Sequence, residues 1–161
     1  MPNHCHNRVT IYGSGNDTDE TRAQIAKLKE IFEDENCFGQ IIPEPDWYQT
    51  PLLSSDKHYG QKYGEVGELP QYVEDPWKRL VFKSTGISDQ RWYDWRLQNW
   101  DTKWDAYDVV VTDDDPEQLE VEFNTAWSPP EAICNQLRED FPDIAISWFY
   151  DEPGCEIAGY L

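Results

Sequence analysis

Positive charge is what this sequence has least of. Thirteen Lys and Arg stand against 32 Asp and Glu in 161 residues, a net charge of −19. Contact with nucleic-acid phosphates needs Lys and Arg to displace counterions, so the composition predicts no direct nucleic-acid binding and no attraction to anionic membranes. The partners of such a field are cationic, and a basic protein surface is the first of them. The plain alternative is that acidity only keeps the chain dispersed. Cysteine is sparse too: Cys5, Cys37, Cys134 and Cys155 are scattered, with no C-x-x-C pair. No disulfide framework is expected. The opening MPNHCHN is polar and no apolar run is long enough to span a bilayer, which predicts neither a signal peptide nor a membrane span. A cytoplasmic chain with reduced thiols is the expectation.

Catalytic motifs are missing as well. There is no G-x-S-x-G, no Walker loop and no G-x-G-x-x-G. The GSGN at 13–16 has the place of a phosphate loop but no lysine, and Asp17, Asp19 and Glu20 beside it would repel a phosphate. An ordinary turn is expected there, and no cofactor.

What the chain does have is aromatic surface: eight Trp, nine Tyr and six Phe. Such side chains have an apolar body and a polar tip, so many should be half-buried or lie at contacts. The length predicts one domain, residues 1–161. NRVTIYG alternates as a strand does, with Val9 and Ile11 on one side. Asp17, three residues before Glu20, predicts a helix cap, and Ile25, Leu28, Ile31 and Phe32 give a helical stripe running to about 34. After 105, AYDVVVT and LEVEFNTAW predict strands with DDDPE as the turn between them. Ser128-Pro129-Pro130-Glu131 predicts a capped helix start, DIAISWFY a strand, and CEIAGYL a last short one. The order is β-α-insert-β-β-α-β with an added strand. That predicts an α+β, ferredoxin-like antiparallel sheet with two helices on one face. Its core is 5–35 and 105–161, and 36–104 is a large insertion after the first helix. Within the insertion, Asp75-Pro76 and the stretch from Ser88 each predict a helix.

MPNHCHNRVTIYG, NWDTKWDA, FNTAWSPP and DEPGCEIAG, in that order, resemble the YubB ferredoxin-like family of phage and plasmid proteins. The family often has Gly where this chain has Asp101. The resemblance implies the ferredoxin-like fold, a mobile-element origin and the cytoplasm of a bacterial host. It implies no reaction and no catalytic residue.

Two groups of residues are candidates for function. The first is an acidic array, Asp108, Asp113, Asp114, Asp115, Glu117, Glu120 and Glu122, in a run from 105 to 122 with no base. Residues two apart on a strand share a face at about 6.6 Å, close to the spacing of successive phosphates, so Glu120 and Glu122 predict a face able to mimic nucleic acid. The expected function is an acidic, non-enzymatic phage- or plasmid-encoded binding protein that fills a basic site on a host protein, for instance a defence nuclease or CRISPR effector. The second group, His58, Trp100, Lys103 and Trp104, would line a pocket between the insertion and the sheet in a small-ligand-binding or enzymatic module. Against that, Trp100 and Trp104 read as a structural wedge, with Lys103 laying its stem over an indole and pairing with a nearby carboxylate such as Asp101 or Asp105. His4-Cys5-His6, with Cys155, is the nearest approach to a metal cluster; with no second paired motif, no metal is expected. Homo-oligomerisation stays open.

Overall fold

In a computed structural model of the chain, residues 3–15, 18–77 and 79–161 are described. The chain divides into two compact units, Met1–Pro43 with Arg96–Leu161, and Glu44–Trp95. The second unit lies inside the expected insertion. Residues 36–43 and 96–104 belong to the first.

The first unit is built on a five-stranded sheet. Its strands are β1 (His4–Gly13), β6 (Tyr107–Asp115), β7 (Gln118–Ala126), β8 (Ile144–Glu152) and β9 (Ile157–Tyr160), in the order β6-β7-β1-β8-β9, every pairing antiparallel. Without β9 this is the ferredoxin-like order, with the first strand of the chain near the centre. Strict alternation decides which face is covered. Val9, Ile11, Leu119, Val121, Phe123, Ile144, Ile146 and Trp148 are buried, while Arg8, Thr10, Glu120 and Glu122 face outward. Helix α1 (Asp19–Glu33) contacts β1 and β7 through Ile25, Leu28, Ile31 and Phe32. Helix α4 (Glu131–Asp140) contacts β8 and buries Ile133, Cys134 and Leu137. A short helix α2 (Cys37–Ile41), unforeseen in the sequence, adds Phe38, which meets Trp100 edge-on at 5.8 Å.

The second unit holds two small hairpins, β2 (Lys57–His58) with β3 (Gln61–Lys62), and β4 (Tyr72–Glu74) with β5 (Leu80–Phe82). Helix α3 (Arg91–Asn99) starts here and ends in the first unit. Leu52, Tyr63 and Phe82 form the unit's apolar core. Beside it Arg91 is almost fully buried. It pairs with Asp89, donates to the carbonyls of Thr50 and Trp47 and to the Tyr72 hydroxyl, and stacks over Trp47 at 5.0 Å.

Several expectations are corrected. Asp75-Pro76 opens no helix: the Asp75 carboxylate accepts from the N–H groups of Trp77 and Arg79 and ties the β4–β5 turn. Asp followed by Pro serves a turn as well as a cap. Asp113 to Asp115 lie in β6, not in a turn, and the chain reverses at Pro116-Glu117. Asp17 is outside the described residues; the cap of α1 is Thr18, whose hydroxyl accepts from Thr21 N–H while the Thr21 hydroxyl accepts from Thr18 N–H. Helix α4 begins after Pro130 with no side-chain cap from its own flank. Ser128 donates instead to the Asp101 carbonyl, and the Asp101 carboxylate accepts from Ala132 N–H at 2.8 Å.

Candidate interaction face

The motifs at 3–7, 99–105, 124–128 and 151–155 meet in one buried polar seam. Asn7 donates to Thr125, Trp148 donates to Asn7, Thr102 donates to the Ala126 carbonyl, and Thr125 donates to the Ser128 carbonyl. Asn7, Thr102, Thr125 and Glu152 are all almost fully buried. Each is paired, as buried polar groups must be. The Glu152 carboxylate accepts from Gly154 and Cys155 N–H and holds the β8–β9 turn. Hydrogen bonding from Cys155 is the main reason its carboxyl lies below the usual value.

NWDTKWD serves this seam. Trp100 is 1% exposed and donates from Nε1 to the Ile42 carbonyl. Asp101 stands at φ 62, the left-handed region that glycine enters most readily. Neither Asp101 nor Asp105 takes up Lys103 as the sequence suggested. Asp101 holds the start of α4, and Asp105 accepts from the N–H groups of Phe38 and Ala106. Burial holds the Asp105 carboxyl above its ordinary value against those hydrogen bonds. The other half of that expectation is met: Lys103 lies over an indole, that of Trp104, with Nζ 4.5 Å from its centroid.

Opposite the helices the sheet is open. On it His6, Arg8, Asp108, Val110, Glu122, Asn124, Phe149 and Asp151 line a groove of about 410 Å³. A break in register between Tyr107 and Val110 shapes its rim, and Asp108 there takes φ 54. Such bulges re-aim one side chain out of the pleat. The Asp108 carboxylate accepts from Asn124 Nδ2 at 3.2 Å, so Asn124 Oδ1 is the atom facing His6 Nδ1, at 2.7 Å. His6 Nδ1 is therefore the donor of that bond and Asn124 Oδ1 its acceptor. His4 is engaged separately, its Nδ1 2.6 Å from the Tyr107 hydroxyl. Cys5 faces the core, where burial pushes its thiol up to about 11, while Cys155 is exposed. Among the described residues no three His, Cys, Asp or Glu side chains converge as a metal site.

The fold splits the acidic array. Asp108 and Glu122 share the groove, and Asp113 stands opposite Glu120 one rung along. The Asp113 carboxylate accepts from Gln118, and Asp115 accepts from Glu117 N–H. Asp114 and Glu117 are drawn to α1, where Lys29 reaches Asp114 at 2.6 Å and Arg22 reaches Glu117 at 2.9 Å. Glu122 is met by Arg8 at 3.0 Å. A run without a base in the sequence is thus partly answered in space by three bases from the first 29 residues. Groove members Asn124, Phe149 and Asp151 were not singled out in the sequence, and His6 was read there only as part of the His4-Cys5-His6 cluster. The one signal for them was alternation: each sits at an outward position of its strand.

The four residues of the expected pocket divide between the units. His58 is in β2 of the second, packed edge-on against Tyr59, while Trp100, Lys103 and Trp104 are in the first. The second unit has a cavity of its own, about 530 Å³, with Leu52, Leu69, Pro70, Phe82 and Lys83 among its walls. None of the four lines it. Among the described residues no helix is long and apolar enough to cross a membrane.

Residues 99–161 match the family model described as the ferredoxin-like domain in Api92-like protein. The shared name fits the topology of the first unit, whose α+β sheet is ferredoxin-like. A crystal structure of the protein api92 from Yersinia pseudotuberculosis is similar to the chain at 14% identity and a TM-score of 0.48, covering 99% of this chain and 93% of that one. No curated protein matches.

Proposed function

We propose that the protein is a non-enzymatic binding protein whose open sheet face occupies a basic site on another protein. The observation that carries the reading is the shared outward face of β6 and β7. Asp108, Asp113, Glu120 and Glu122 stand there side by side, while Asp114 and Glu117 are turned to α1. Like charges on neighbouring strands repel and weaken a sheet, so a face kept this acidic is suited to a cationic surface that relieves the strain. The finer form of the proposal is nucleic-acid mimicry against a host defence nuclease or CRISPR effector. The phage or plasmid origin, the YubB kinship and the bacterial cytoplasm belong to that finer form.

The test uses Glu120→Lys with Glu122→Lys beside a control, Asp114→Lys with Glu117→Lys. Pull-down from a bacterial host identifies the partner, and titration then measures affinity across salt with DNA or RNA as competitor. The first variant is expected to lose binding and the control to keep most of it. Unchanged affinity in the first variant, or indifference to salt and competitor, sinks the reading. A small-ligand module is the second reading, favoured by the cavity in the second unit. There, a protein-observed NMR screen of small ligands that leaves the Phe82 and Lys83 amides unmoved would end it.

A further inference from the structure

The β2–β3 hairpin breaks the rule of its own turn. A two-residue turn with both central residues at positive φ is the I′ type, and its usual occupants are Asn or Asp followed by Gly. Here they are Tyr59 at φ 48 and Gly60 at φ 81. Glycine takes that backbone without cost, whereas a bulky residue sets its Cβ against the following carbonyl. Packing could offset this, yet Tyr59 is 97% exposed. Its ring contact among the described residues is with His58, at 4.4 Å.

One step down the hairpin, Lys57 stands directly across from Lys62. Like charges so placed destabilise a strand pair. Neither lysine has an ion pair among the described residues, and the neighbouring Asp56 gives its carboxylate to Leu53 N–H at 2.7 Å. Three choices in six residues thus work against the hairpin and gain no burial. Local rules broken without a structural return are where function is to be sought.

We infer that the tip of this hairpin is a contact site for single-stranded nucleic acid. Tyr59 offers its ring to an unstacked base, and Lys57 and Lys62 offer their ammonium groups to the flanking phosphates. Non-specific single-strand sites combine these two parts, an aromatic platform and a cationic track. A duplex hides its base faces and leaves the ring without a partner. A membrane surface would call for more apolar residues than Gly60 and Gln61 provide.

The charge that argues against such contact for the chain as a whole is unevenly placed. Residues 44–95 hold nine acids and six bases, so −16 of the −19 lies in the first unit. Within 57–62 there are two bases and no acid. At physiological salt, charges beyond about 8 Å are largely screened, so the local sign governs the encounter.

The test is fluorescence anisotropy of labelled oligo-dT and oligo-U at low salt, beside a duplex of equal length and anionic vesicles. Single strands are expected to bind, the duplex and vesicles much less. Tyr59→Asn creates the Asn-Gly pair the turn prefers, so thermal stability should hold or rise while affinity falls by about tenfold. Lys57→Gln with Lys62→Gln should flatten the dependence of log affinity on log salt by about 1.4. Failure to bind single strands, equal binding of duplex, preference for vesicles, or wild-type affinity in Tyr59→Asn each overturns the inference. None of these outcomes bears on the acidic sheet, which has its own variants.

Discussion

In the first unit the largest buried groups are indoles: Trp148 and Trp100 lie at 0% and 1% exposure among Phe32, Phe38 and Phe123. In the second, the apolar core is three side chains, and beside it sits a guanidinium. Arg91 there makes the hydrogen bonds that strands and helices make in the first unit, tying Thr50, Trp47, Tyr72 and Asp89 to one planar group. The difference teaches how a stretch with little regular structure keeps one shape. Where strands are two or three residues long, backbone pairing cannot specify a fold, and a fully satisfied polar hub supplies the specificity that a ladder otherwise gives.

The comparison can be broken most forcefully at Asp89. Asp89→Ala leaves Arg91 buried without its carboxylate and should cost about 3–5 kcal/mol, read as accelerated amide exchange across 44–95. Phe123→Ala in the first unit should cost about as much for a different reason, the cavity it leaves, and be seen in the exchange of β1 and β7. If Asp89→Ala is mild, the hub is not what holds the second unit.

A smaller effect is expected where the first unit relies on a borrowed polar group. Asp101→Ala removes the bond to Ala132 and keeps the left-handed strain, about 1–2 kcal/mol by chemical denaturation. Asp101→Gly loses the bond but not the backbone, and should be the milder of the two.

pH separates the units by sign. The Glu152 carboxyl lies below its unfolded value of 4.5, so the stability it adds to the first unit is complete above that pH and lost as pH falls through the folded value. Burial, and then the hydrogen bond to Asp89, raises the Tyr72 hydroxyl above its ordinary 10.0. Its contribution to the second unit is complete below 10.0 and lost as pH rises past that point. Glu152→Gln and Tyr72→Phe should each flatten the matching limb of a stability–pH curve, acid for the first and alkaline for the second.

Least is expected of the helix-to-strand ion pairs. Arg22→Ala and Lys29→Ala should each change stability by less than about 1 kcal/mol, with the loss shrinking as salt is added.

The sheet was legible because one face of it is dry. Burial of one face writes period two into β1, β7 and β8, and the stripe of α1 follows from the same cause. The second unit wrote no period, since its short strands alternate too briefly and its hub is made of residues that read as polar surface. Asp75-Pro76 misled because turn and cap use the same local bonding. For the candidate face, the acids of β6 and β7 were readable by count and by spacing. Their partners Arg8, Arg22 and Lys29 lie about a hundred residues away, and only the pairing of β1 with β7 and the docking of α1 bring them near.

The central place of β1 has a consequence for how the molecule is made. A strand from residues 4–13 finds its two neighbours at 118–126 and 144–152, so every ladder bond that β1 makes closes a loop of more than a hundred residues. Contacts so distant in sequence slow folding, because chain entropy is lost before pairing repays it. On a ribosome β1 would emerge first and wait longest, its Val9 and Ile11 face bare until the last quarter of the chain arrives. Rearranging the chain so that β1 follows β9, through a linker between the ends, would shorten both sets of closures and should quicken refolding without altering the finished sheet.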